Sequence, residues 1–203
     1  MRGERTILSR VSLRVEAGQA LVVTGANGAG KTTLLRTIAG FLPPSSGTIT
    51  LSAGQGEADN RPIAQRCHLI GHLDGLKGAM TVAENLVFWA AFLNESPQGG
   101  IAAIPAALLA FDLEALAGIP AAYLSAGQKR RLGLARLLVA RRPLWLLDEP
   151  SVSLDVASVD LLRTVISAHL ARGGLVVAAT HMPLGIPGTR ELRLGETGAG
   201  GAP

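Results

Sequence analysis

Lys31 and Thr32 close the stretch Gly25-Ala26-Asn27-Gly28-Ala29-Gly30-Lys31-Thr32, in which glycines, an amine and a hydroxyl stand at the spacing of a phosphate cradle. The glycines permit a tight turn that aims consecutive backbone N–H groups at an anion, and a helix starting where the turn ends adds its dipole. In that setting Lys31 offers charge to the β- and γ-phosphates and Thr32 a hydroxyl to Mg2+, with Thr33 in the same cradle. The loop follows the apolar run 20–23 and opens an apolar-periodic segment at 34–38, the strand–loop–helix context that such a cradle needs. The competing reading is a glycine turn that merely caps a helix. Chance rarely fills every position of this pattern in the right context, so the stretch implies a nucleoside triphosphate site.

Asp148 and Glu149 end the uninterrupted apolar run Leu144-Trp145-Leu146-Leu147, which suits a strand buried on both faces of a parallel sheet. In a doubly wound sheet this strand end lies beside the phosphate loop. Adjacent residues there point in different directions, so Asp148 can reach the metal while Glu149 faces a water near the γ-phosphate. Asp148 capping a turn led by Pro150 would account for one acid but not both. Upstream, Leu124-Ser125-Ala126-Gly127-Gln128 leads into a segment whose apolar residues fit one helical face, with Ser125 as its N-cap. Such a start taken alone is usually only a cap. Paired with the glycine loop and the acids, it suggests a shared site in which one copy clamps the nucleotide held by another.

These residues resemble, over about positions 2–195, the ATP-binding subunits of ABC transporters. The resemblance makes the glycine loop a Walker A motif, residues 124–128 the signature sequence with Ala126 where Gly is usual, and 144–149 the Walker B strand. Ser153-Leu154-Asp155 then matches the D-loop, and His181 the switch histidine that touches the γ-phosphate. Read without it, His181 is an ordinary polar residue at a strand end and Asp155 a helix N-cap. The resemblance further implies ATP with Mg2+, hydrolysis, and two copies meeting head to tail around each nucleotide. It implies integral membrane transporter subunits as partners, and a peripheral position on the cytoplasmic face of a bacterial inner membrane.

A finer likeness, carried by Arg2-Gly3-Glu4-Arg5-Thr6, Gly71-His72 with Lys77, Ala126 and the length of 203 residues, is to the ATP-binding subunits of haem exporters of cytochrome c maturation. Export of another cargo and a soluble non-transport ABC-type ATPase are the alternatives. A kinase sharing the glycine loop would leave the signature and His181 unexplained. There are two departures from the family pattern. Counting back from Thr81-Val82-Ala83-Glu84-Asn85-Leu86 puts His72 where a glutamine usually faces Mg2+ and the attacking water; an imidazole could still hold that water, with a charge that titrates near neutral pH. Arg2 stands where an aromatic residue commonly stacks on adenine, and a guanidinium can also stack. The strand expected before it is missing, so either the frame begins upstream of Met1 or the sheet lacks an edge strand.

The elements that must position these residues alternate along the chain. Strands are expected at 20–24, 48–51, 67–70, 144–148, 175–180 and 191–194. Helices are expected at 31–39, 81–93, through most of the stretch to 142, and at 156–172. Alternation predicts an α/β fold with a mostly parallel sheet flanked by helices, and the resemblance implies that it is a P-loop NTPase of the ABC ATPase type. We expect one domain over 1–195, a strandless helical insertion at about 76–123 with a turn at 96–100, and a disordered tail at 196–203.

At 203 residues and 48% hydrophobic the chain can bury a full core, and its one cysteine, Cys67, excludes an internal disulfide framework. Cys67 reads as a small buried strand residue. Mean hydropathy is high at +0.33, yet the apolar stretches 86–93 and 101–111 fall well short of the ~18–20 residues needed to cross a bilayer. The first residues carry charges and no long apolar core, so no secretory signal is expected and the protein stays on the cytoplasmic side. Net charge is +4, with Lys129, Arg130, Arg131, Arg136, Arg141 and Arg142 read as a solvated helix face ending in a cationic C-terminus. No aromatic residues interleave with that cluster, and no nucleic acid partner is expected. Phe88, Trp89 and Phe92 read equally well as a docking surface for membrane subunits or as core.

Overall fold

Near-continuous apolar runs form the middle of the sheet in the computed structural model, which describes residues 7–52, 60–94, 98 and 100–195. Strands β1 (Ala20–Thr24), β2 (Cys67–Ile70), β3 (Leu144–Asp148), β4 (Leu175–Ala179) and β5 (Arg190–Arg193) lie in the order β2-β3-β4-β1-β5. The pairs β3–β4, β4–β1 and β1–β5 are parallel, in registers such as Leu146↔Val177 and Val22↔Ala178. LWLLD, LVVAA and ALVVT are interior strands because both faces are covered. RELR stands at an edge, where charged side chains meet solvent and discourage pairing with other chains.

The helices are α1 (Lys31–Ile38), α2 (Ile63–Arg66), α3 (Val82–Leu93), α4 (Ile104–Ala110), α5 (Ala126–Ala135) and α6 (Val156–Ala171). The described residues divide into two compact units, one drawn from Met1–Leu69, Pro143–Glu149 and His169–Pro203, the other from Ile70–Arg142 and Pro150–Ala168.

In the first unit, α1 turns Leu34, Leu35 and Ile38 onto Val23, Leu146, Val177 and Ala179 of the sheet. Leu35 is fully buried, and truncating such a side chain to alanine costs about 2–5 kcal/mol. Behind β3, Trp145 stacks on His169 with ring centroids 3.8 Å apart and planes within 7°, and His68 meets the indole edge-on. His169 Nε2 lies 3.2 Å from the Pro143 carbonyl, which can only accept, so this nitrogen carries a proton and donates there. Burial pushes its pKa down to about 4. Cys67 is buried on β2, as expected.

The second unit is helical; apart from Ile70 at the end of β2, only an isolated bridge, Thr81↔Pro120, has β character among its described residues. Helix α3 begins with a reciprocal cap: Thr81 Oγ1 accepts from the Glu84 N–H, and the Glu84 carboxylate accepts from the Thr81 N–H. Those bonds hold the Glu84 carboxyl below its ordinary pKa. Asn85, fully buried, is matched on both sides of its amide. It accepts from the Lys77 N–H and donates to the carbonyls of Lys77, Met80 and Thr81.

Several expectations need correction. Residues 48–51 form no strand, because a strand exists only against a partner ladder; the Leu51 carbonyl instead accepts from the Arg66 side chain. The helix after Ser125 ends at Ala135 and tightens into a 3-10 turn over Arg136–Leu138, leaving Arg141 and Arg142 beyond it. Arg142 Nη2 donates to Leu93 O, so it caps the last turn of α3 rather than its own helix. The cationic cluster is not a solvated face. Arg130 and Arg136 are buried, and Arg131 donates to the carbonyls of Phe111 and Asp112. Of the three aromatics on α3, Phe88 and Trp89 are half-buried while Phe92 is 69% exposed. The motif at 2–6, most of the turn at 96–100 and the tail at 196–203 lie outside the described residues.

Candidate nucleotide site

In a parallel sheet every strand ends on the same side, and three neighbours, β3, β4 and β1, end here in the residues singled out for chemistry. From β1 the chain enters the glycine loop. At Gly25, with φ +140°, a Cβ would lie 2.6 Å from Leu194 O, just past the end of β5. Gly30 has φ +99° and is the N-cap of α1, without any side-chain cap. The start of α1 is therefore open to an anion in the way a helix N-terminus permits.

Lys31 is buried, and its ammonium donates to Gly25 O at 2.8 Å and Ala26 O at 3.3 Å, curling back over the loop. It also stands 3.0 Å from His181 Nε2. An ammonium has no lone pair, so the imidazole nitrogen is the acceptor in this contact. Asn27 Oδ1 is 3.3 Å and Glu149 Oε1 3.5 Å from the same nitrogen. Thr32 Oγ1 donates to Asp148 Oδ2 at 2.8 Å, bringing a hydroxyl and a carboxylate oxygen together at the buried end of β3. Glu149 leaves the strand with φ +46°, and its N–H donates to Ala179 O at 2.7 Å. The left-handed turn sends consecutive carboxylates apart, and a non-glycine residue held there carries strain of about 1–3 kcal/mol.

Beside the loop, Thr24, Gly25, Ala26, His181, Glu191 and Arg193 line an open cavity of ≈ 550 Å3. Thus Asn27, Lys31, Thr32, Asp148, Glu149 and His181 come together within one unit. The sheet refines one point: β4 lies between β3 and β1, so the acids are one strand removed from the loop, and the end of β4 delivers His181 into the interval.

In the second unit Ser125 caps α5 reciprocally with Gln128: its Oγ accepts from the Gln128 N–H, and Gln128 Oε1 accepts from the Ser125 N–H. Gly127 follows, where a Cβ would stand 3.0 Å from Ser153 O. Ser153 has φ +67°, and two residues on Asp155 caps α6 by accepting from the Ser158 N–H at 2.8 Å. Hydrogen bonds from the Ser158 side chain and backbone hold the Asp155 carboxyl below its usual pKa. Gly127 and the 153–155 turn therefore form one exposed-edged cluster.

The sequence profile of the ABC transporter family matches residues 8–152. The chain belongs to the ABC transporter family. Among its relatives, the cytochrome c biogenesis ATP-binding export protein CcmA of Rhodopseudomonas palustris (strain BisB5) is 50% identical over 195 residues, covering 96% of this chain and 94% of the relative. The protein of the same name from Rhizobium meliloti (strain 1021) is 47% identical, covering 95% and 92%. A solved ATP binding subunit of an ABC transporter superposes with a TM-score of 0.75 at 24% identity, over 89% of this chain and 75% of that one, and shares the fold.

Within this ABC transporter chain, sequence reasoning also singled out His72 in the second unit, and missed a pair there. His72 lies in the second unit on an exposed bend after β2. Arg130 and Asp74, which pair at 2.9 Å with the guanidinium buried, carried no signal in the sequence, because a run of cations beside Gln128 looks like any solvated helix face.

Proposed function

We propose that this chain is the ATP-binding and ATP-hydrolysing subunit of an ABC exporter serving cytochrome c biogenesis, with haem as cargo. Relatives of that printed name, about half identical over almost the whole chain, support the exporter. The cargo rests on the branch likeness at Gly71-His72, Lys77 and Ala126. The observation that carries the chemistry is the convergence of Lys31, Thr32, Asp148, Glu149 and His181 on one sheet edge.

ATP lays its phosphates along residues 25–33, where loop N–H groups and the start of α1 receive them, and Lys31 exchanges carbonyl and imidazole partners for phosphate oxygens. Thr32 and Asp148 would hold Mg2+; a hydroxyl and a carboxylate 2.8 Å apart are the hard oxygen donors it prefers, and when bound it neutralises phosphate charge. Glu149 accepts a proton from the water that attacks the γ-phosphorus, the bond to the bridging oxygen of ADP breaks, and inorganic phosphate leaves. His181 orients the γ-phosphate. His72 holds the attacking water from its own segment.

A second copy, head to tail, closes the site with its Ser125, Ala126, Gly127 and Gln128 helix start and its Asp155. Binding draws the copies together and hydrolysis releases them. The domain spans 1–195 with a helical insertion at about 76–123. No described helix is long and apolar enough to cross a membrane. Integral membrane subunits hold the chain peripherally at the cytoplasmic face of a bacterial inner membrane, and Phe88 and Phe92 belong to the docking surface. Glu149→Gln keeps the side chain's shape but cannot take the proton. It should retain fluorescent-ATP binding while phosphate release falls at least about a hundredfold, and undiminished release would refute the assignment.

A further inference from the structure

Helix α5 and the 3-10 turn that continues it present Arg130, Gly133 and Arg136 to the bend at 71–75. Arg130 is 4% exposed, and a guanidinium so buried is tolerated only when its donors are matched. Its Nη1 donates to Gly71 O at 2.8 Å and to Asp74 Oδ1 at 2.9 Å, and its Nε to Pro150 O at 3.2 Å. Gly133 leaves the room: a Cβ there would fall 2.8 Å from Asp74 Oδ1 and 2.9 Å from Asp74 Cβ. Arg136 donates to Asp74 O at 3.1 Å and lies over the Trp89 ring, 4.6 Å from its centroid. Gly75 completes the fit, since its Cβ would meet Arg136 Nη1 at 2.9 Å and Trp89 at 3.1 Å. The bend is thus seated in a slot on the helix that starts at Ser125.

We propose that Arg130 is a positioning residue for ATP turnover, fastening the His72 bend and the Pro150 turn to the helix that starts at Ser125. This rests on the ATPase reading of the site. Pro150 is next in the chain after Glu149, so the three bonds of one side chain fix the segment bearing His72, the mount of the proposed base and the helix start that meets the partner's nucleotide. None of these segments can shift without leaving a buried charge unmatched. The partners of these three bonds, Gly71, Asp74 and Pro150, are not residues assigned to bind nucleotide, which separates an effect on rate from an effect on affinity. Lysine is no substitute, because one ammonium cannot serve two carbonyls and a carboxylate in the directions that the planar fork reaches.

The test measures phosphate release and fluorescent-ATP binding on the full chain, with thermal melting as the fold control, for Arg130→Gln, Arg130→Lys, Asp74→Asn and the Arg130→Gln/Asp74→Asn pair. We expect kcat to fall about ten- to a hundredfold in Arg130→Gln, with Kd for the nucleotide within about twofold. Asp74→Asn should lower kcat less, and adding it to Arg130→Gln should cost nothing further, as for two members of one unit. Wild-type kcat in both single variants overturns the proposal, as does a parallel loss of affinity or full rescue by lysine. Should Arg130→Gln fail to fold, Asp74→Asn decides by the same criteria. Glu149→Gln run alongside separates the two readings: normal turnover there sinks the ATPase site itself, whereas its loss beside unimpaired Arg130 variants sinks only the clamp.

Discussion

At the scale of residues, the site is organised around Lys31, whose ammonium is already satisfied by two loop carbonyls and the His181 ring. A phosphate must therefore displace those bonds, and the exchange is favourable because the phosphate sets a full negative charge against the ammonium where the carbonyls and the ring set only dipoles. Lys31→Ala removes a charged bond of about 1.5–3 kcal/mol, so ATP affinity should weaken by roughly ten- to a hundredfold or more. Equilibrium binding of a fluorescent ATP checks this, and unchanged retention would count against the cradle. Lys31, Thr32, Asp148 and Glu149 were legible in the sequence because their spacing is set by backbone geometry. The role of His181 came from resemblance, and its contact with Lys31 spans 150 positions that no local pattern connects.

At the scale of elements, the two helix starts differ in how they are capped. The start of α1 has no side-chain cap, while that of α5 is tied by Ser125 and Gln128 into a reciprocal cap with its first turn aligned. Ser125→Arg removes the cap, worth about 1 kcal/mol, and fills the helix start with a bulky cation. ATP binding to the first unit should persist while phosphate release drops to background, a contrast read by running both assays on one preparation. The strands at 20–24 and 144–148 were visible in advance because interior parallel strands are continuous apolar runs. The expected strand at 48–51 failed, since β-forming residues without a neighbouring ladder have nothing to pair with.

At the scale of the whole molecule, two expectations follow from how the chain is assembled. If each ATP lies between two copies, specific turnover should fall as the protein is diluted, and a rate per chain that stays constant to full dilution would argue for a self-sufficient monomer. Stability should also depend on pH through His169. Its folded pKa of about 4 lies below the ~6.5 of an unfolded histidine, so between these values the unfolded chain binds the extra proton. The contribution is complete above about pH 6.5 and is lost as pH falls toward 4, an effect of roughly 2–3 kcal/mol. Urea melts from pH 7.5 to 4.5 should show that slope, and His169→Phe should flatten it.

The amino-acid sequence alone determined the chemistry on offer: a phosphate loop, paired acids at a strand end and a capped helix start, each encoded within a few consecutive residues. It also marked the interior strands at 20–24, 144–148 and 175–179, through runs of apolar side chains. Only the tertiary structure decided that β4 lies between β3 and β1, because strand order depends on crossovers rather than on local pattern. It likewise turned Arg130 and Arg136 inward, since whether a cation on a helix meets water or a buried carboxylate depends on what packs against that face, and Asp74 lies 56 residues from Arg130.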